Sequence, residues 1–335
     1  MKKIICALFA LAIATATHAQ AQKQQATPAQ KITNRYAMAL KPTEDGGYKL
    51  NAPDKFKFIN LDTIPDLLVP YTAKPIASKK ELAGCVSEEY TYKTHEGYEL
   101  KLIVDRAVSE EPTPFVIYIH GGGWTAGSSK TFRINSQYIA MKRGITGVRI
   151  SYSLGGQPGA NIEVAMEDIA DALKWVQEHA TELNIDPTRF AFCGHSAGAH
   201  LSALAAMTIP GATAFIGNAG PYDMADPEAA VVKFANRTRK NFFFGLKKEA
   251  GKRYSPIYNI PEGNIPTALL VHGSGDIQCE YTHSVRFAEA LEKAGGKVEL
   301  KIYPCYDHNL HGQRSDKGRE ILLLMANFLA EQLKK

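Results

Sequence analysis

Beyond its first twenty residues the chain has no long apolar run. It also has no internal repeat, no His/Cys/Glu cluster at metal-ligand spacing and no glycine-rich phosphate loop. The first absence excludes a transmembrane helix. The others give no footing for a solenoid, a resident metal or a nucleotide cofactor, so no cofactor is expected. Charge of one sign is scarce too. The net charge is only +5, and Lys and Arg are scattered apart from small clusters at Arg237–Lys240 and Lys247–Arg253. Such clusters read as a solvated face, and no nucleic-acid partner is expected.

What is present is a chain of 335 residues, 45% of them hydrophobic, enough for one large α/β domain or two small ones with a sizeable core. Its first residues follow an export pattern. Lys2 and Lys3 supply the positive start, Ile4 to Ala14 an apolar stretch too short to span a bilayer, and Thr17-His18-Ala19 the small residues of a cleavage site. Residues 1–19 are therefore expected to be a signal peptide and the mature protein periplasmic or secreted. Cys6 comes too early for a lipid-attachment cysteine. Residues 20–84 read as a polar linker and an irregular, proline-broken arm, and residues 85–335 as the main domain. Of the remaining cysteines, Cys193 is expected as a buried thiol. Cys279 and Cys305 could form a bridge if their loops are neighbours.

From Cys85 onward, strand and helix alternate. Glu88–Lys93 and Glu99–Arg106 flank a His95-Glu96-Gly97 turn and predict a hairpin. Phe115–Ile119, Ile145–Ser151, Phe190–Cys193, Ala214–Gly217, Thr267–His272 and Val298–Tyr303 read as strands. Ile162–Glu182, Glu280–Ala294 and Arg319–Leu333 read as helices. This order implies an α/β fold: a mostly parallel sheet covered on both faces, with an antiparallel hairpin at its start. Ligands of such sheets bind at the carboxyl ends of the strands.

Three features stand at those ends. Gly194-His195-Ser196-Ala197-Gly198 lies between a strand and a run of helix formers. Its glycines permit the strained turn that presents a serine hydroxyl as a nucleophile. His120-Gly121-Gly122-Gly123-Trp124 follows Phe115–Ile119, and consecutive glycines let backbone N–H groups approach a substrate oxygen. The N–H groups of Gly122, Gly123 and Ala197 are the expected oxyanion hole, with Trp124 beside the substrate. Late in the chain, Asp276 follows the 267–272 strand and His308 follows the 298–303 strand. A serine nucleophile needs a base, and the base needs a carboxylate to orient it. Ser196, Asp276 and His308 stand in the chain order that a nucleophile elbow demands.

The chain has ten histidines, so rivals exist. His311 is the main alternative base, and Asp307 and Asp223 are alternative acids. His195 is expected to point away from the attacking face, His120 to buttress the glycine loop, His272 to be a strand-end core residue and His283 to lie on a helix surface. Asp168 and Asp171 are expected to be solvated. The stretch 223–261 is long enough to cover a pocket, and its aromatics could line an acyl site or form a satellite core.

With these motifs in hand, the chain resembles the α/β-hydrolase superfamily. It is most similar to the hormone-sensitive-lipase-like and carboxylesterase branch with a His-Gly-Gly-Gly loop, and to an exported subgroup active on acetylated or feruloylated plant polysaccharides. The resemblance implies a serine esterase working through an acyl-enzyme on a small-molecule or carbohydrate ester, with short acyl groups, acetyl above all. A general carboxylesterase or a dipeptidyl-peptidase-like hydrolase is the alternative.

Overall fold

The computed structural model describes residues 40–42, 48–50, 75–233, 235–276, 278–304, 306–312 and 317–334. The expected signal peptide and most of the arm lie outside them, as does Cys305. Leu40–Pro42 and Tyr48–Leu50 pair as a small antiparallel ribbon.

The main sheet has eight strands. They are β1 (Val86–His95), β2 (Tyr98–Arg106), β3 (Thr113–Ile119), β4 (Thr146–Ile150), β5 (Ile185–His195), β6 (Ala214–Asn218), β7 (Thr267–Gly273) and β8 (Val298–Tyr303). Their spatial order is β8-β7-β6-β5-β3-β4-β2-β1. The hairpin β1–β2 is antiparallel, β2 joins β4 antiparallel, and every other neighbouring pair is parallel.

The central strands are apolar without a break because both faces are covered. Along β3, Phe115, Ile117 and Ile119 enter one core while Val116 and Tyr118 enter the other. Phe190 and Phe192 of β5 divide from Ala191 and Cys193 in the same way. One face is closed by helices α2 (Ile162–Glu178), α3 (Ala197–Thr208) and α5 (Thr282–Lys293). The other is closed by α1 (Arg133–Arg143) and α6 (Gly318–Leu333). The short α4 (Arg237–Phe242) lies in the long connection between β6 and β7.

Two elements differ from expectation. The helix expected over 162–182 ends at Glu178, and a separate turn of helix covers Ala180–Leu183. Helix α1 carried no apolar period because Asn135 and Ser136 occupy buried positions on it. Ser136 Oγ donates to the Asp105 carboxylate, which is also held by Arg149 through Nε at 2.7 Å and Nη2 at 3.0 Å.

Chain order runs outward from β3 to β4, then returns to β5 on the other side of β3 and continues to β8. The reversal opens a crevice at the carboxyl ends of β3 and β5, the usual ligand position in such sheets.

Candidate active site

Ser196 sits between the end of β5 and the start of α3, with φ 56° and ψ −123°. A residue with a β-carbon rarely adopts this conformation, and its neighbours impose it. Its N–H donates to the Asn218 carbonyl at 2.9 Å. Gly194 and Gly198 are needed for close approach. A β-carbon on Gly194 would lie 2.1 Å from the Gly198 oxygen, and one on Gly198 would lie 2.0 Å from the Ile119 oxygen.

Ser196 Oγ is 2.8 Å from His308 Nε2, and His308 Nδ1 is 2.5 Å from Asp276 Oδ2. Protons arrange themselves accordingly: Nδ1–H donates to the carboxylate, leaving Nε2 to accept from the serine hydroxyl. Asp276 is fully buried. Burial pushes its carboxyl up, but the imidazoles of His308 and His272, through electrostatic attraction and hydrogen bonds, outweigh that and hold it well below the usual carboxylate range. Its second oxygen accepts the N–H groups of Gln278 at 2.8 Å and Cys279 at 3.0 Å.

The glycine loop after β3 comes against the elbow. A β-carbon on Gly121 would stand 3.1 Å from Ser196 Cβ. Gly122 (φ 120°) and Gly123 (φ 60°) turn the chain sharply, and the Gly122 carbonyl turns back to accept from Thr125 and Ala126. The N–H groups of Gly122, Gly123 and Ala197 donate to no other group among the described residues. Trp124 is buried. Its indole N–H donates to His200 Nδ1 at 3.3 Å, and His200 Nε2–H donates to the Tyr254 carbonyl at 2.6 Å. Ser196, His308, Gly122, Gly123 and Trp124 line a cavity of about 470 Å³.

The rivals fall elsewhere. The His311 ring lies tilted against His195, ring centres 4.1 Å apart, and makes no bond to Ser196. Asp223 is paired with Arg286 at 3.4 Å. Asp307 caps the Asn309 N–H at 2.9 Å. His120 Nδ1 bonds the Gly121 carbonyl at 2.8 Å, and the ring stacks on Tyr152.

Two expectations are corrected and a third is extended. Asp168 is fully buried, not solvated. Its carboxylate binds His95 Nε2 at 2.8 Å, Lys93 at 2.9 Å and the Ser153 N–H at 2.9 Å. Asp171 does stay half exposed, paired with Lys93. His283 is buried, not on a helix surface. Its Nδ1 accepts the N–H groups of Tyr222 and Asp223. His272 is the expected buried residue at the end of its strand, and it does more. Its Nε2 faces two acceptors, Asp276 Oδ2 and the Cys279 carbonyl, both at 3.1 Å, so it carries the proton and steadies the acid. A histidine at the carboxyl end of the strand that leads into the acid was the available signal.

The 223–261 stretch forms short helices at Ala230–Lys233, α4 and Lys248–Arg253. Phe242 and Phe243 are buried in the main core, and Phe243 meets Trp124 edge-on at 4.9 Å. Phe244 and Tyr258 are exposed, and Phe234 lies outside the described residues. The stretch offers the cavity Ala230, Val231 and Arg239 rather than an aromatic wall. Arg239 belongs to a cluster expected to be solvated. Its Nε is instead buried and without a hydrogen-bond partner. Cys279 is a buried free thiol, and its expected partner Cys305 lies outside the described residues.

The family model BD-FAE matches residues 102–291, more than half of the chain. The chain belongs to the BD-FAE family. Its sheet and helices are those of an α/β-hydrolase, as in Thermogutta terrifontis esterase 2. The propionate-bound form of that enzyme has a TM-score of 0.63 and 26% identity, covering 75% of this chain and 95% of the other. An ethyl acetate hydrolase of Pseudomonas putida is 24% identical over 290 residues, 77% of this chain and 86% of its own length. A probable isoprenylcysteine alpha-carbonyl methylesterase of Oryza sativa is 26% identical over 223 residues. The match takes in 59% of this BD-FAE chain and about half, 52%, of the rice protein. These relatives and structural neighbours are carboxylesterases, and the chain is a carboxylic-ester hydrolase of the same class.

Proposed function

We propose that this chain is an exported serine esterase that removes short acyl groups, acetyl above all, from carbohydrate esters such as those of plant polysaccharides. The observation that carries the mechanism is the Ser196–His308–Asp276 hydrogen-bond chain, which opens beside three unpartnered backbone N–H groups.

Ser196 Oγ attacks the ester carbonyl while its proton passes to His308 Nε2. Asp276 stabilises the resulting imidazolium through Nδ1. The carbonyl oxygen, now negative, is met by the N–H groups of Gly122, Gly123 and Ala197, and the start of α3 adds a small favourable field. As the tetrahedral species collapses, the C–O bond to the alcohol breaks and His308 returns the proton to the leaving oxygen. Water then attacks the acyl-enzyme with His308 as base. Acetate leaves and Ser196 is restored.

The preference for short acyl groups is supported by the modest cavity of about 470 Å³ and by esterase 2 having been captured with propionate and butyrate. The carbohydrate assignment is supported by the motif resemblance, and export by the pattern of residues 1–19. The test is acetate release from acetylated xylan by the wild type and Ser196→Ala, beside a p-nitrophenyl ester series. Acetate from the polysaccharide, lost in the variant, is expected. Turnover of aryl esters alone would leave a general carboxylesterase and remove the carbohydrate assignment.

A further inference from the structure

Arg239 on α4 lines the cavity beside the glycine loop. Among the described residues that line the cavity it is the only side chain with a permanent charge. A β-carbon on Gly123 would stand 2.6 Å from its Nη2, so the guanidinium lies directly beside the glycine loop. Its Cζ also sits 5.6 Å from the centre of the Trp124 ring, which steadies the cation from one side.

No carboxylate lies within ion-pair distance of Arg239 among the described residues, and its buried Nε has no acceptor. Among the described residues, the other arginines that are not exposed each have a side-chain acceptor, although Arg286, paired through Nη1, also leaves a buried Nε without one. Arg149 is held bidentately by Asp105, Arg106 by Glu88, Arg189 by Asp186, Arg286 by Asp223 and Asp226, and Arg319 by Glu81. Arg143 has the Asn327 side chain at 2.7 Å. A guanidinium partly stripped of water and given no partner is costly, and a cost borne at a cavity wall is offset when a ligand supplies the anion.

We propose that Arg239 makes the enzyme selective for esters that carry a free carboxylate, held on the guanidinium while Ser196 attacks the ester carbonyl. The proposal rests on the serine-esterase reading above and adds the class of substrate. A carboxylate fits better than a phosphate. It is planar and singly charged, matches the guanidinium fork, and needs no second cation, of which the described lining has none. The carboxylate can belong to the acid portion or to the alcohol portion of the ester, a uronic acid being an instance of the latter.

The experiment compares kcat/KM within two matched pairs. Monomethyl adipate against methyl hexanoate places the charge on the acid portion. 4-Acetoxybenzoate against 4-acetoxybenzamide places it on the alcohol portion. Wild type is expected to favour the charged member of at least one pair by about ten- to a hundredfold, the range of a charge-assisted hydrogen bond. In Arg239→Gln that ratio falls towards one, mainly through KM, and Arg239→Lys keeps part of it. The pair that shows the preference identifies the portion that carries the charge. Equal rates within both pairs, or a loss in Arg239→Gln that strikes both members alike, would overturn the proposal. If the wild type hydrolyses none of the four, the esterase reading fails and the proposal with it. Neutral esters turned over without a preference for charge would sink the proposal alone. As a readout without turnover, calorimetry on Ser196→Ala is expected to detect the charged member of the preferred pair, and the signal should vanish in the double variant Ser196→Ala/Arg239→Gln.

Discussion

Replacing Ser196 by glycine and by alanine separates the strain at the elbow from the chemistry it serves. Both variants lose Oγ and its 2.8 Å hydrogen bond to His308, so that loss cancels between them. Alanine keeps a β-carbon at φ 56° and ψ −123°. Holding such a conformation costs about 1–3 kcal/mol, which glycine does not incur. Against this, glycine gives up about 0.5–1 kcal/mol in chain entropy, and losing a half-buried β-carbon costs roughly 0.4 kcal/mol, half a methylene. The balance leaves Ser196→Gly more stable than Ser196→Ala by about 1 kcal/mol, a rise in Tm of about 2–4 °C for a domain of this size. Urea unfolding of the two variants side by side, followed by far-UV circular dichroism, measures it. A glycine variant equal to or less stable than the alanine variant would refute the claim that the fold stores strain at the nucleophile.

Two further outcomes follow from the geometry around the base. Asp276→Asn keeps the shape of the acid but removes the charge that supports the His308 imidazolium, so kcat on p-nitrophenyl acetate is expected to fall about 10³–10⁴-fold; a fall within tenfold would show that another carboxylate does the work. Burial holds His200 down to about 4 and His283 and His311 down to about 3. The unfolded chain therefore takes up protons at these positions first as the pH drops through about 6.5. Their contribution to stability is full above about pH 6.5 and declines towards about pH 4 and below, by about 1.4 kcal/mol per pH unit for each titrating histidine. The urea midpoint is expected to fall steadily between pH 7 and pH 4.5, and a flat profile over that window would contradict the burial of these rings.

The strands at the centre of the sheet were legible because each is apolar on both faces, which few other environments require. The elbow and the glycine loop were legible for a different reason. Gly194, Gly198 and Gly122 stand where backbone approaches backbone, and Gly123 holds a positive φ against the Arg239 side chain, so side chains are not accommodated there. What was hidden depends on partners distant in sequence. Asp168 resembles any helix carboxylate until the hairpin brings Lys93 and His95 against it. His283 takes its burial from the backbone of Tyr222 and Asp223, some sixty residues earlier. Arg239 sits in a run of cations with nothing local to mark it, and only the return of α4 towards the glycine loop gives it a different environment. Burial of a polar residue is a property of the partner's position, and local pattern carries little of that.

The position of the proposed base poses a problem that the elbow itself solves. His308 is carried by a loop after β8, the edge strand, whose residues are at best half-buried. Such a loop, left to its own contacts, would be free to wander relative to Ser196, and about an ångström of misplacement is enough to cost on the order of a hundredfold in rate. The residue between Gly194 and Ser196 closes the gap. His195 Nε2 donates to the His308 carbonyl at 2.9 Å, and the two rings lie 4.8 Å apart. The His311 ring also packs against His195, at 4.1 Å. Burial, with His311 and His308 adding to it, holds His195 well below the ordinary histidine range, so it stays neutral while it donates. The same tight turn that exposes Ser196 thus also grips the main chain of His308. The variable position of the Gly-x-Ser-x-Gly motif, filled here by histidine, has a positioning role that the motif alone does not disclose.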